Sequence, residues 1–471
     1  MLQLLMIGSL ILLLAIASSK IFYRFGVPAL LLFLLLGMLF GSDGLVGIQF
    51  DSFELASQIC SVGLIFIMFY GGFGTNWEAA RPVAVRAVLL STVGVWLTAL
   101  LTGLFCQLVL KTSLLEGLLI GSVLASTDAA SVFSVLRSRK LNLKGGLASL
   151  LEIESGSNDP FAYMCTIIVI SLMTGQNSGS LPMMLFGQVF YGLIIGVVLA
   201  KITAFALRRI DLEIDGLYPI LVMAVVMLGY AASESVGGNG YLCVYLIGII
   251  LGNSRILHKR SLVHFYDGIS WLMQILLFFT LGLLSFPSQL HNVLVPGILI
   301  SLFMMFVARP AATFSILSWF KVPFKAQLLV SWVGLRGAAS IVFAIFAVNS
   351  GALVNNDIFH IVFLVALFSV TLQGSLIPTV AKKLHLVEPE GSVFKTFNDY
   401  QDEALTNLLE LTVGPGNPWA GKNVMDAGIP EEILVVMIKR GNEVIVPKGS
   451  TPILEGDVLV LSGNCFDRIP L

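Results

Sequence analysis

Thirteen long apolar runs, separated by short polar or glycine- and proline-containing connections, fill most of this 471-residue sequence. A helix needs about 20 apolar residues to cross the hydrocarbon core of a bilayer, and a spanning backbone must satisfy its own hydrogen bonds. The ten-residue alternation typical of a membrane β-barrel is not visible in these runs. The sequence therefore predicts membrane-crossing helices at 2–19, 27–42, 53–73, 84–110, 113–135, 145–174, 181–207, 216–234, 238–253, 262–284, 290–318, 325–348 and 356–381.

Composition excludes the other broad classes. Hydrophobic residues make up 57% of the chain and charged residues only 12%, with a mean hydropathy of +0.93. A soluble protein of this composition would have too few charged residues to cover its surface. Lysine and arginine number 27 against 28 acidic residues, which leaves no basic footprint for a nucleic acid. The five cysteines are scattered and indicate neither a disulfide framework nor a zinc site. The partner that composition indicates is the lipid bilayer.

The basic residues in the loops and at the ends of the apolar runs are distributed unequally between the two sides. Seventeen lie in loops on one side, against Lys111 alone on the other, and the basic side is expected to be cytoplasmic. We therefore expect a multi-pass protein of a bacterial inner membrane, with a periplasmic N-terminus and a cytoplasmic C-terminus. The basic residues on the rich side are Lys20, Arg24, Arg81, Arg86, Arg137, Arg139, Lys140, Lys144, Arg208, Arg209, Arg255, Lys259, Arg260, Lys321, Lys325, Lys382 and Lys383.

Ionisable residues interrupt three of the predicted spans. Asp128 lies mid-span in 113–135, Glu154 and Asp159 lie in the first half of the next span, and Arg336 lies near the centre of 325–348. Such a group costs at least about 2.5–3.5 kcal/mol at the bilayer centre, so each is a candidate functional residue.

Helical spacing sorts the polar residues of 145–174. Glu154 and Asn158 are four apart and share a face, and Ser155 and Asp159 share the adjacent one. One face could meet Arg336 while the other presents oxygens to a monovalent cation. Two structural alternatives stay open: an ion pair of Arg336 with Glu154 that only holds helices together, and an Asp128 that is simply a buried, satisfied polar residue.

Thr127 would add a hydroxyl and a backbone carbonyl if its small-residue stretch unwinds. Segment 91–96 (STVGVW) resembles a potassium-channel filter, but it occurs once inside an unbroken apolar run. We interpret it as a coincidence, which leaves a cation channel as a minor alternative.

Three motifs, 126–128 (STD), 154–159 (ESGSND) and 334–337 (GLRG), occur in this order on the fifth, sixth and twelfth predicted spans. Together they resemble the NhaP-like branch of the cation:proton antiporters. The resemblance implies an all-α membrane protein of about 13 transmembrane helices, with inverted repeats and two crossing broken helices, that forms a homodimer. A transporter of this kind is not an enzyme and has no resident cofactor.

By the same resemblance, Asp159 would bind the cation and the proton in turn. Asp128, Thr127, Ser155 and Glu154 would contribute to the ion-binding site, with the metal held at Asp159 and Asp128. The supporting network would be formed by Asn158 and Arg336. The Asn158–Asp159 pair resembles the electroneutral type, and we expect K⁺/H⁺ exchange, with Na⁺/H⁺ exchange as the alternative.

After Lys383 the sequence becomes polar. We expect a transmembrane domain at 1–383, a linker at 384–397 and a cytoplasmic domain of short strands at 398–471. Phrases such as 447–451 (PKGST) and 456–460 (GDVLV) resemble the TrkA-C (RCK C-terminal) module, which implies regulation, with a small nucleotide as the candidate ligand. Passive dimerisation is the alternative, and whether 398–471 is a shortened copy of the module stays open.

Overall fold

The computed structural model describes residues 2–25, 29–139, 141–175, 180–256, 258–388, 407–415, 417–430, 433–441 and 443–463. The chain divides into two compact units, Met1–Phe394 and Lys395–Leu471. The larger unit is helical, and the smaller one is built on a β-sheet.

The helices of the larger unit follow the apolar runs of the sequence. In chain order they are α1 (Leu2–Phe25), α2 (Ala29–Phe40), α3 (Phe53–Gly74), α4 (Trp77–Ala80), α5 (Ala84–Leu110), α6 (Leu114–Val123), α7 (Ala129–Ser138), α8 (Leu147–Thr174), α9 (Leu181–Arg209), α10 (Leu217–Ser235), α11 (Gly240–Gly252), α12 (Lys259–Leu284), α13 (Pro287–Leu317), α14 (Phe324–Trp332), α15 (Ala338–Asn349) and α16 (Ile358–Lys383). Seven helices in the described part, α3, α5, α9, α10, α12, α13 and α16, are long and apolar enough to cross a membrane.

Two of the predicted spans are broken in the middle. The span at 113–135 consists of α6 and α7, and the span at 325–348 consists of α14 and α15. Between the halves of each, residues 124–128 and 333–337 are not helical. The two broken helices expected from the sequence are therefore confirmed.

The helices pack into two groups. Helices α1, α2, α3, α9, α10, α11 and α12 contact mainly one another, and so do α5, α6, α7, α8, α13, α14, α15 and α16. Fewer contacts join the groups, chiefly α15 with α3 and α8 with α11. Both broken helices lie in the second group.

Glycines let helices within each group approach backbone to backbone. A Cβ at Gly37 of α2 would lie 2.2 Å from the carbonyl oxygen of Phe279 in α12, and one at Gly121 of α6 would lie 2.2 Å from that of Ala99 in α5. Small residues at such contacts are the usual basis of helix association in lipid, because the hydrophobic effect does not drive apolar helices together there.

The segment that resembles a channel filter is helical. Leu90–Gly94 forms a π-helical turn, and Val95–Leu110 continues the helix without a break. A filter presents extended backbone carbonyls to the ion, whereas these carbonyls lie within a helix.

The smaller unit contains a four-stranded antiparallel sheet. Its strands, β1 (Asn407–Thr412), β2 (Ile433–Arg440), β3 (Glu443–Ile445) and β4 (Val458–Gly463), stand in the order β1-β4-β2-β3. Ile438, Leu459 and Leu461 are fully buried on it, together with Ile453 from the preceding loop. Alternating inward residues on β2 and β4 thus build a separate small core.

A buried carboxylate anchors the loop before β4. Arg440 donates from Nε and Nη2 to Asp457, at 2.8 Å each, and the backbone N–H of Leu454 also donates to Asp457 at 2.8 Å. The hydrogen bonds from Arg440 outweigh burial and hold the pKa of Asp457 below its usual value.

Some predicted features lie wholly or partly outside the described residues. They include 389–397 of the predicted linker, the first part of 398–471, Lys140, Cys465 and the last residues of the chain. The beginning of the predicted linker is described: Leu386 accepts a hydrogen bond from the backbone N–H of Lys144 at 2.9 Å, so this segment packs on the loop after α7.

Candidate ion-binding site

The two helix breaks meet. The backbone N–H of Asp128 donates to the carbonyl oxygen of Leu335 at 2.9 Å, which joins the unwound segments directly. Asp128 also begins α7, because its carboxylate accepts hydrogen bonds from the backbone N–H of Ser131 at 3.2 Å and from the Ser131 hydroxyl at 2.5 Å. An aspartate that caps the following half-helix explains why the chain resumes its helix there.

Glycine makes this approach possible. A Cβ at Gly337 would lie 2.3 Å from Oδ2 of Asp128, and a Cβ at Gly334 would lie 2.6 Å from Nε of Arg309. The glycines of the GLRG motif therefore leave room for two charged side chains on either side of the break.

Arg336 stabilises the break in the other helix. Its Nη1 donates to the carbonyl oxygens of Ala125 at 3.0 Å and Ser126 at 2.8 Å, which the unwinding leaves without helical partners. Its own backbone N–H donates to the Ser369 hydroxyl at 3.1 Å. The guanidinium thus holds the carbonyl groups of α6–α7 from within α14–α15.

Glu154 pairs with a residue that sequence reasoning missed. Arg309 of α13 donates from Nη2 to Oε2 of Glu154 at 2.9 Å, and both side chains are buried. The expectation that Glu154 faces Arg336 as its ion-pair partner is therefore wrong. The face assigned to Glu154 does meet an arginine, but helical spacing does not specify the helix that supplies it.

A visible signal could have identified Arg309. It lies inside the predicted span 290–318, so it carries the same insertion cost that drew attention to the other buried charges.

Thr127 connects the unwound segment to α8. Its hydroxyl donates to Ser155 Oγ at 3.1 Å, and Ser155 Oγ donates to the Thr127 carbonyl oxygen at 2.9 Å. Asn158 accepts from the Thr127 backbone N–H at 3.3 Å, donates to the Thr127 hydroxyl, and donates to Glu154 at 3.4 Å. Thr127 is thus bonded to residues from both of the helical faces predicted for α8.

Asp159 completes the arrangement. It is buried, and Oδ1 accepts a hydrogen bond from the Ser126 hydroxyl. Ser126 is thus a further residue of the site, next to the Thr127–Asp128 pair but without a role in the sequence prediction. The structure brings the seven predicted residues together around one helix crossing: Thr127, Asp128, Glu154, Ser155, Asn158, Asp159 and Arg336.

Comparison with known proteins gives the family. Residues 9–383 match the sodium/hydrogen exchanger, transmembrane family, and residues 408–464 match the TrkA-C domain. The chain belongs to the sodium/hydrogen exchanger family. It is accordingly a multi-pass membrane transporter rather than an enzyme, and the cation:proton antiporter family inferred from the three motifs is confirmed.

Curated members of the exchanger family resemble the chain over nearly its whole length. The K(+)/H(+) antiporter NhaP of Alkalimonas amylolytica is 35% identical over 466 residues, which cover 98% of this chain and 81% of that protein. The K(+)/H(+) antiporter NhaP2 of Shewanella baltica is 33% identical over 469 residues, covering 98% and 80%.

A solved structure of the family has the same fold. The sodium proton antiporter MjNhaP1 of Methanocaldococcus jannaschii, solved at pH 8, superposes with a TM-score of 0.72. It is 27% identical and covers 82% of this chain and 99% of its own.

Proposed function

We propose that this exchanger transports one monovalent cation against one proton, with Asp159 binding each in turn. The charge balance at the crossing carries the proposal. Among the described side chains there, three carboxylates (Asp128, Glu154 and Asp159) stand against the two guanidinium groups of Arg309 and Arg336.

A net charge of minus one inside the membrane domain is costly, and either a proton or a single monovalent cation neutralises it. Asp159 is the carboxylate that we assign to this role, because Glu154 is paired with Arg309 and Asp128 caps α7. Both loaded forms are then neutral, whereas the empty form is charged and would cross apolar surroundings slowly. One-for-one electroneutral exchange follows.

Alternating access is the transport mode that we propose, which makes the protein a secondary active transporter. The crossing lies in one helix group and would move against the other, as half-helix sites do in many transporters. Ser126, Thr127 and Ser155 would supply further oxygens to a hard cation, which would compete with H⁺ for the Asp159 carboxylate.

K⁺ is the proposed cation. The NhaP and NhaP2 relatives are named K(+)/H(+) antiporters, and the TrkA-C match is typical of potassium-transport proteins. Na⁺ is the alternative, which the name of MjNhaP1 favours.

Purified protein in sealed vesicles tests the exchange. Pulses of K⁺, Na⁺ or Li⁺ should each be compared for cation-dependent pH change, with the voltage clamped. Asp159→Asn should abolish exchange, whereas Asp51→Asn, which removes an exposed loop carboxylate, should leave it unchanged. Retained exchange in Asp159→Asn would assign the proton to Asp128 instead.

The same vesicles distinguish the other classes of function. A cation channel would give currents that reverse at the Nernst potential of the ion, and a membrane sensor without transport would give no cation-dependent proton movement. An electroneutral exchanger gives a pH change that the clamped voltage does not alter.

We also propose a homodimer in a bacterial inner membrane, with the N-terminus periplasmic and the C-terminus cytoplasmic. The distribution of basic loop residues supports this orientation. Cysteine labelling of each terminus in intact cells, and the mass of the detergent-purified protein, test the two parts separately.

A nucleotide is the proposed ligand of the β-sheet unit, where the TrkA-C match lies. Calorimetry of the full chain against a panel of mono- and dinucleotides tests it, and heat from none of them would favour passive dimerisation.

A further inference from the structure

A further carboxylate lies near the ion-binding site, on the side away from the basic loops. Glu234 is near the end of α10, which begins after Arg208 and Arg209. Oε2 of Glu234 accepts a hydrogen bond from the hydroxyl of Tyr163 at 3.4 Å. Tyr163 follows Asp159 by four residues on α8, so the two side chains lie one turn apart on the same face.

The connection between α10 and α11 reaches deep into the helical unit. Asn239 begins α11 and donates to the carbonyl oxygen of Pro160, near the middle of α8, at 2.7 Å. With 13 residues, α11 spans only about 20 Å at 1.5 Å per residue, well short of the roughly 30 Å hydrocarbon core. Glu234, bonded at Oε1 to the backbone N–H of Gly240 at 2.8 Å, is thereby placed near the level of Asp159.

Aromatic rings separate this carboxylate from the site. The ring of Tyr163 lies 4.9 Å from that of Tyr241, 5.7 Å from that of Phe343 and 5.9 Å from that of Phe346. Glu234 is partly exposed, and the next three residues, 235–237, are exposed. We call the cluster of Tyr163, Tyr241, Phe343 and Phe346 the Tyr163 seal, and Glu234 bonds to its Tyr163 hydroxyl.

The contacts at this seal join the two helix groups. Tyr163 and Pro160 belong to α8 in one group, whereas Glu234 and Asn239 adjoin α10 and α11 in the other. Any relative movement of the groups must alter both hydrogen bonds. The seal is therefore located where a passage from this side to Asp159 would have to open.

We propose that Glu234 is the outer staging carboxylate of the exchanger, which holds the incoming cation or proton beyond the Tyr163 seal before transfer to Asp159. The proposal rests on the exchange function proposed above and goes beyond it by assigning the entry residue. Among the described residues, the phenols of Tyr163 and Tyr230 lie beside Glu234, and the carboxyl supplies the negative charge that can attract a cation or a proton.

A purely structural role is the competing explanation, because Glu234 also bonds to the start of α11. Glu234→Gln separates the two roles: the amide oxygen can still accept from Gly240 N–H, but the charge is lost. A charge at a cleft raises the local cation concentration by roughly tenfold or more. We therefore expect the KM for the cation on the outer side to rise about tenfold, with kcat largely retained.

Right-side-out and everted vesicles present the two faces in turn. The KM measured on the basic-loop side should stay at the wild-type value, Glu234→Asp should restore the outer KM in part, and Tyr163→Phe should shift the outer pH dependence. Glu213→Gln, which changes an exposed carboxylate in the loop that precedes α10, is the matched control and should change neither KM.

Four outcomes overturn the proposal. In Glu234→Gln, an unchanged KM on both sides means that the residue is only structural, and an equal change on both sides means a general disturbance. Absence of exchange in the wild-type protein would refute the proposed function and this proposal with it. Loss of exchange in Asp159→Asn together with an unchanged Glu234→Gln would refute this proposal alone.

Discussion

The ion pair of Glu154 with Arg309 gives the sharpest test of how the crossing is held. The two side chains are 2.9 Å apart and only 2% and 4% exposed, respectively. Removing one member of such a pair leaves an uncompensated buried charge, which costs about 3–5 kcal/mol, whereas removing both members costs far less. Arg309→Gln and Glu154→Gln should therefore each destabilise the protein strongly. The double variant should lose less unfolding free energy than the two single variants added together.

A double-mutant cycle measures the coupling energy of the pair. We expect a coupling energy of roughly 2–4 kcal/mol between positions 154 and 309, from the difference between breaking and replacing a buried pair. Arg336 binds the carbonyl oxygens of Ala125 and Ser126 instead of Glu154. The cycle between 154 and 336 should thus give a clearly smaller coupling.

Thermal unfolding in detergent, followed by size-exclusion chromatography of the remaining folded protein, measures each corner of both cycles. Additive effects at 154 and 309 would refute the pairing. A large coupling between 154 and 336 would instead restore the pair first expected from helical spacing.

Three other perturbations have defined outcomes. Ser126→Ala removes the hydroxyl that donates to Asp159; a hydrogen bond to a charged group is worth about 1.5–3 kcal/mol, so the cation KM in vesicles should rise at least several-fold and activity should need a higher pH. Gly337→Ala places a methyl group against the Asp128 carboxylate and should abolish exchange, as vesicle assays will show. Arg440→Gln removes the donor that lowers the Asp457 pKa, so hydrogen exchange of β4 should be faster than in the wild type at neutral pH.

The sign of the last effect follows from linkage. A carboxyl whose pKa is lower in the folded than in the unfolded state adds stability above the unfolded pKa, and this stability is lost as the pH falls through the folded pKa. Wild type and Arg440→Gln should therefore converge in acid. A difference that persists once Asp457 is protonated would contradict the argument.

Gly71→Ala, where a Cβ meets open space, is the control for Gly337→Ala.

Hydropathy was enough to place the helices, because only a membrane-spanning helix can bury so many consecutive apolar residues. The two breaks were expected from the resemblance of the motifs to the antiporter family. Buried charge alone does not predict a break, because α8 carries Glu154 and Asp159 and stays helical. Helical period correctly put Asn158 beside Glu154. It did not predict that Thr127 bonds to both Ser155 and Asn158, which it had assigned to different faces.

The partners of those faces were beyond the reach of the sequence. Arg309 and Arg336 are both buried arginines, and periodicity on α8 cannot decide which of them approaches Glu154 from 155 or more residues away. Which arginine pairs with Glu154 depends on how the helices cross, and Arg336 instead donates to a backbone carbonyl of the α6–α7 break. The depth of Asn239, and with it the position of Glu234, depends likewise on tertiary packing.

The grip of Arg336 on the Ala125 and Ser126 carbonyls has a mechanical consequence. The Arg336 side chain in one broken helix donates to backbone carbonyls of the other. The Asp128 backbone N–H in that other helix donates back to the Leu335 carbonyl of the first. These hydrogen bonds hold the two broken helices together at their breaks. In the alternating-access cycle proposed above, both broken helices would therefore move together, and the ion would keep the same oxygen ligands as access changes from one side of the membrane to the other.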